Sequence, residues 1–246
     1  MSFSAPGSPP ATTPAPPPYS GPPPRVDVLR SPQGLATAVT VLLCVAGAVN
    51  LLSAGANAFV FSVMDDLVAD PGKVADHTVG LSDGFTALAG SFRLLSMLAT
   101  AVVFLVWFHR VRVNGEVFRA DAFTQKRGWA VGGWFIPIGH LFLPLWTARQ
   151  IWTASTQHGP DGSLRPVSRA PLTAWWVVWV VASITDRAYS RIYLHAESPE
   201  ALQATAAFGI GSDLLMVTAA VLAVRFVRRL TAMQHTMALQ GPYATA

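Results

Sequence analysis

From Gly34 to Met64 the chain runs for 31 residues without a charged side chain. A helix of about 20 apolar residues crosses a hydrocarbon core of about 30 Å, so this stretch alone pulls the fold towards a membrane. The rest of the chain agrees. Of its 246 residues 52% are hydrophobic and 12% charged, and the mean hydropathy is +0.41. Soluble domains carry about 25% charged residues. The apolar content also excludes disorder of the whole chain. One cysteine, Cys44, rules out an internal disulfide framework and a multi-thiolate metal site. The pI of 9.7 is explained by basic loops on the inner side of a membrane rather than by nucleic acid.

Four further segments are candidates for membrane insertion. Phe85 to Phe108 is interrupted only by Arg93, and Ala201 to Val224 only by Asp213. Trp129 to Ala148 has 20 uncharged residues but contains Pro137 and Pro144, and Leu172 to Thr185 has only 14 before Asp186. No period-two alternation persists long enough for a β-barrel. The first 24 residues hold ten of the 19 prolines and precede this region as an expected polyproline-rich arm. The arm has no apolar core, so it is not expected to be a cleaved signal.

Topology follows from the basic residues. Counting Lys and Arg between the apolar segments gives 2, 1, 5, 3, 2 and 3 from the N-terminal arm to the C-terminal end. Positive residues favour the cytoplasmic side, and five full spans would put one basic end outside. The sequence therefore predicts an all-α membrane protein with four transmembrane helices, both termini cytoplasmic, in the cell membrane. The third hydrophobic segment is expected to be re-entrant or interfacial, entering and leaving from the cytoplasmic side. Its helix break is written in Gly132, Gly133, Pro137, Gly139 and Pro144, since each proline deletes a helical hydrogen bond and crowds the preceding turn. The expected organisation is a disordered cytoplasmic arm over 1–30, a multi-pass domain over 31–232 and a short flexible cytoplasmic end over 233–246. Trp107, Trp129, Trp152, Trp175 and Trp176 are expected near the inner interface, with Tyr189 and Tyr193 at the outer end of the short fourth segment.

Two motifs carry a family resemblance. The stretch Gly128-Trp129-Ala130-Val131-Gly132-Gly133-Trp134-Phe135-Ile136-Pro137-Ile138-Gly139-His140, with Pro144 and Arg149 to Ser155 beyond it, resembles the core motif of actinobacterial membrane proteins grouped as the domain of unknown function 4328 family. The lead-in Phe104 to Asn114 and the proline-rich arm fit too. This chain has His140 where the motif is expected to have Asn. The resemblance extends from about Leu35 to Arg229 and implies the membrane architecture but no activity. An arginine share of 15 against two lysines fits a high-GC source.

Three polar groups inside apolar segments are the candidates for function. A charge at the middle of a membrane helix costs roughly 2.5–3.5 kcal/mol on insertion scales, so Arg93 and Asp213 are expected to pair within the bundle, with helix packing as the ordinary role. His140 is expected as a packing histidine, or else a proton relay. Asn50 and Asn57 share a helix face and suit interhelical hydrogen bonds. Asp65, Asp66 and Asp70 read as a solvated loop. Gly209 and Gly211 suit close helix approach. No hydrolase, zinc-protease or phosphate-loop motif is present, so neither catalysis nor a metal or cofactor is expected. The expected function is a non-enzymatic scaffold or regulatory module whose partners are the bilayer, anionic lipids and cytoplasmic proteins reached by the arm. The alternative is a small transporter or channel using the Arg93/Asp213 pair.

Overall fold

The computed structural model describes residues 28–70, 72, 74–157, 163 and 165–240. The proline-rich arm over 1–27, and the final residues 241–246, lie outside them. Among the described residues there are six α-helices and no strand: α1 (Gln33–Ala69), α2 (Asp76–Phe118), α3 (Trp129–Gly132), α4 (Leu143–Ala154), α5 (Ala170–Tyr193) and α6 (Pro199–Gln240). By length and composition α1, α2 and α6 are able to cross a membrane.

The helices outrun their apolar stretches, which corrects the loop boundaries. With 37, 43 and 42 residues, α1, α2 and α6 reach about 55, 64 and 63 Å at 1.5 Å per residue. Asp65 and Asp66 are therefore helical, and Asp70 accepts a hydrogen bond from the Gly72 amide (3.1 Å) where α1 ends. The fourth segment, 14 apolar residues in sequence, is a helix of 24, or about 36 Å, because it continues through Asp186, Arg187 and Arg191. At the other end of that connection Ser198 Oγ accepts from the Ala201 amide (3.2 Å) and Pro199 opens α6, a favoured start for a helix.

Antiparallel α1 and α2 pack together, α1 also lies along α6, and α6 along α5. One apolar cluster fills the end of the bundle where α2 and α6 finish, around Trp107, Phe108, Trp152, Trp175 and Phe226. The Trp175 and Phe226 rings stack at 4.6 Å. A smaller cluster of Val60, Val63, Met64 and Ala206 fills the opposite end. Trp107, Trp152, Trp175 and Trp176 share one end as expected, but they are core residues, not an interfacial belt: all are buried. Trp129 and Trp146 face outward instead.

The third segment does not form one helix. Arg127 and Gln125 lie beside Glu116 and Arg112 near the end of α2. Trp134 lies deeper, edge-on to Phe104 and Phe108. The chain then returns, so that Thr147 bonds Gln125, Gln150 bonds Thr124, and Ala154 sits beside Gly115. Both limbs of this helical hairpin thus start and finish at the same end of α2. At its tip the Gly139 amide donates to Pro137 O (2.6 Å) across Ile138, whose φ is 62°. That is a γ-turn, strained for a β-branched residue.

The C-terminal boundary is also corrected. Helix α6 continues to Gln240, and Gln234 is buried with hydrogen bonds to Val111 O (2.8 Å) and Ser155 Oγ (3.2 Å). Residues 233–240 are therefore helix, not a loose end. Likewise Arg30 belongs to the folded part, because Asn114 receives its amide (3.2 Å) and donates to its carbonyl (2.8 Å).

The hairpin limbs cross at Gly133. A Cβ there would lie 2.9 Å from Trp129 O and 3.1 Å from Leu143 Cβ, whereas nothing lies within 4 Å at Gly132. Thermal unfolding in detergent should show Gly133→Ala destabilised by about 1–3 kcal/mol. Gly132→Ala should be neutral or stabilised by up to about 1 kcal/mol.

Candidate functional site

Four helices bring polar groups together between the two apolar clusters. Arg93 on α2 reaches α6, with Nη1 3.2 Å from Asp213 Oδ1. Its Nη2 meets Asp186 Oδ1 on α5. From α1, Asn57 Nδ2 donates to Asp213 Oδ2 (2.9 Å), while Asn57 Oδ1 accepts from the Tyr189 hydroxyl of α5 (2.9 Å). One arginine is therefore shared by two carboxylates, and one asparagine links an acid to a phenol.

Burial ranks these groups. Asp213 is 1% exposed and Asn57 5%, while the side chains of Arg93 and Asp186 keep 21% and 29%. Asp213 is thus the charge that depends most on its partners, since an uncompensated buried charge costs several kcal/mol. Its Oδ1 has the Arg93 guanidinium as an ion-pair partner.

The helix approach needed for this junction is set by Gly209. A Cβ at that position would lie 2.6 Å from Tyr189 Cε2 and 2.7 Å from Asn57 Nδ2. The absence of a side chain is what lets α1 and α5 meet over α6. At Gly211 nothing lies within 4 Å, so only the first glycine of the pair has this role.

Asp186 and Tyr189 were missed in sequence because both fall past the apolar end of the fourth segment. Their signal was a helical one: they are three residues apart, on one face. Asn50, by contrast, turns back on its own helix, donating to Ala46 O (2.7 Å). His140 is not part of the junction. It lies in the hairpin, with Nδ1 3.4 Å from Ile136 O and a buried Nε2 that has no partner among the described residues.

A second polar cluster, absent from the sequence expectations, ties the other end together. Arg112 is 1% exposed. It donates to Glu116 Oε2 (3.0 Å) and to Gln125 O (2.7 Å), and its guanidinium stacks 3.6 Å over the Phe123 ring. Gly115 makes room for that ring, which would lie 2.9 Å from a Cβ. With Asn114 and Gln234, these groups join the hairpin to α2, α6 and the start of α1. Among the described residues no set of His, Cys, Asp or Glu could hold a metal.

Coupling between the charges is measurable by a double-mutant cycle on thermal unfolding. Asp213→Asn and Arg93→Gln should each cost about 3 kcal/mol. Together they should cost less than their sum by about 1–3 kcal/mol. Asp186→Asn, at a partly exposed position, should cost about 1 kcal/mol or less.

No curated protein and no solved structure matches this chain. Residues 70–232, which hold α2 to α5 and most of α6, match the family described as a domain of unknown function (DUF4328). The match takes in Arg93, the hairpin, Asp186 and Asp213, and covers well over half of the sequence: the chain belongs to the DUF4328 family.

Proposed function

We propose that this chain is a non-enzymatic integral membrane module, a scaffold or regulatory unit, with α1, α2, α5 and α6 as four crossings and both termini cytoplasmic. One observation carries the reading: polarity is inverted relative to a soluble bundle. Leu94, Leu95, Leu98 and Val102 of α2 face outward at 51–63% exposure, while Asp213, Asn57, Arg112 and Gln234 are turned inward. Hydrocarbon is the surrounding that makes this arrangement stable, since water would leave a large apolar surface uncovered.

Orientation is supported by charge. The end at which α2 and α6 finish carries Arg110, Arg119, Lys126, Arg127, Arg149, Arg228 and Arg229, whereas the opposite end has few basic residues. In this reading the basic end faces the cytoplasm, the side that positive residues favour. The hairpin then enters from the cytoplasmic face and returns to it. Its exposed Phe135, Ile136 and Ile138 face the bilayer at its tip.

In this reading the Arg93 junction holds the bundle together. Its members are engaged with each other across four helices, which pack closely at Gly209. The second reading, a transporter or channel, draws on the partial exposure of Arg93 and Asp186. Proteoliposomes distinguish the two. The scaffold reading expects proton and salt fluxes equal to protein-free vesicles for the parent chain and for Asp213→Asn. A flux carried by the parent and abolished by Asp213→Asn overturns it in favour of transport.

A further inference from the structure

On the basic end of the molecule, the outer face of α4 and the segment leading into α5 enclose a groove of about 470 Å³. Phe142, Leu145 and Trp146 form its apolar wall, and Arg149, Gln150 and Arg169 its polar one. Phe142 and Trp146 are 60% and 56% exposed and stand one turn apart, so both rings point away from the protein core. Trp152 on the same helix is buried against Phe226, so α4 is amphipathic, with an aromatic outer face.

Among the described residues no acidic side chain offsets the charge of the groove. Neither Arg149 nor Arg169 forms an ion pair among the described residues, although Arg169 donates to Thr153 Oγ1 (3.1 Å). None of the residues lining the groove is acidic. Gln150 donates from Nε2 to Thr124 Oγ1 (2.8 Å). Two guanidinium groups and two outward aromatic rings thus line one groove. It suits a molecule with an anionic head and an apolar body.

We propose that this groove holds an anionic phospholipid of the cytoplasmic leaflet. Its phosphate lies between Arg149 and Arg169, and its acyl chains pass over Phe142 and Trp146. Arginine matches phosphate geometry through its forked donors, and indole rings settle at headgroup depth. A lipid seated here braces α4 against the start of α5.

This inference rests on the membrane reading above, and the two fail separately. Release of the full chain from its membrane by alkaline wash overturns both. An integral chain whose lipid binding ignores Arg149 and Arg169 overturns the groove alone.

The test is native mass spectrometry of the full-length chain in a maltoside detergent, titrated with phosphatidylglycerol, phosphatidylcholine and inorganic phosphate. The parent is expected to retain phosphatidylglycerol in preference to phosphatidylcholine, with no displacement by millimolar phosphate. Arg149→Gln/Arg169→Gln should weaken phosphatidylglycerol binding about 25-fold, which corresponds to about 1 kcal/mol for each basic residue near a membrane surface. Arg228→Gln/Arg229→Gln should leave it unchanged. Equal retention of the two lipids, displacement by phosphate, or unchanged binding in the groove variant overturns the proposal. If the double variant unfolds early, the single variants decide: a loss of about fivefold in each supports the site, and no loss in either overturns it.

Discussion

An apolar outer surface leaves polar side chains with only each other for partners, and the rest of this structure follows from that constraint. Water does not solvate the middle of α2 in the reading proposed here, so Arg93 must find its anions on other helices. It finds two, on α5 and α6. Asn57 then donates to Asp213 and accepts from Tyr189. Because the partners lie on four different helices, satisfying one charge fixes the relative positions of all four. A soluble bundle reaches the same specificity by burying leucines. Here apolar packing alone offers little preference between lipid and protein, and the polar junction supplies the selectivity.

The same logic explains the basic end. A helical hairpin that stops partway has exposed turns, and irregular backbone is tolerated at membrane depth only where protein covers it. Trp134, packed among Phe104, Phe108, Trp176 and Trp179, provides that cover on the inner side. Arg112 and Glu116 then hold the entering limb, and Gln125 and Thr124 bond the returning one. Small residues decide where this is possible. Gly115, Gly133 and Gly139 each stand where a Cβ would strike a neighbour. The Pro137–Gly139 turn accepts a strained Ile138 so that the chain can reverse within a few residues.

Much of this was legible in the sequence, for specific reasons. Uncharged runs mark apolar helices because a missing charge is a strong signal in lipid. The broken segment was legible because proline and glycine act locally. Arg93 and Asp213 stood out as isolated charges, and the structure sets them 3.2 Å apart. What was hidden depends on tertiary context. Helix ends beyond the apolar run look like loops to hydropathy, so Asp65 and Gln234 read as lying outside helices that contain them. Tryptophans can anchor at an interface or fill a core, and only packing separates Trp107 from Trp146. Arg112 looked like one more basic loop residue, since burial beneath Phe123 leaves no trace in composition.

The central claim is that four helices cross while the hairpin turns back. Impermeant thiol labelling of intact cells tests it, using single cysteines in a Cys44→Ser background. Two exposed positions bracket α5: Ser168 before it and Glu197 after it. The account predicts that Glu197→Cys is labelled from outside and that Ser168→Cys is labelled only after the membrane is opened. Labelling of Ser168→Cys in intact cells would mean that the hairpin segment crosses the membrane, and the proposed architecture would be wrong.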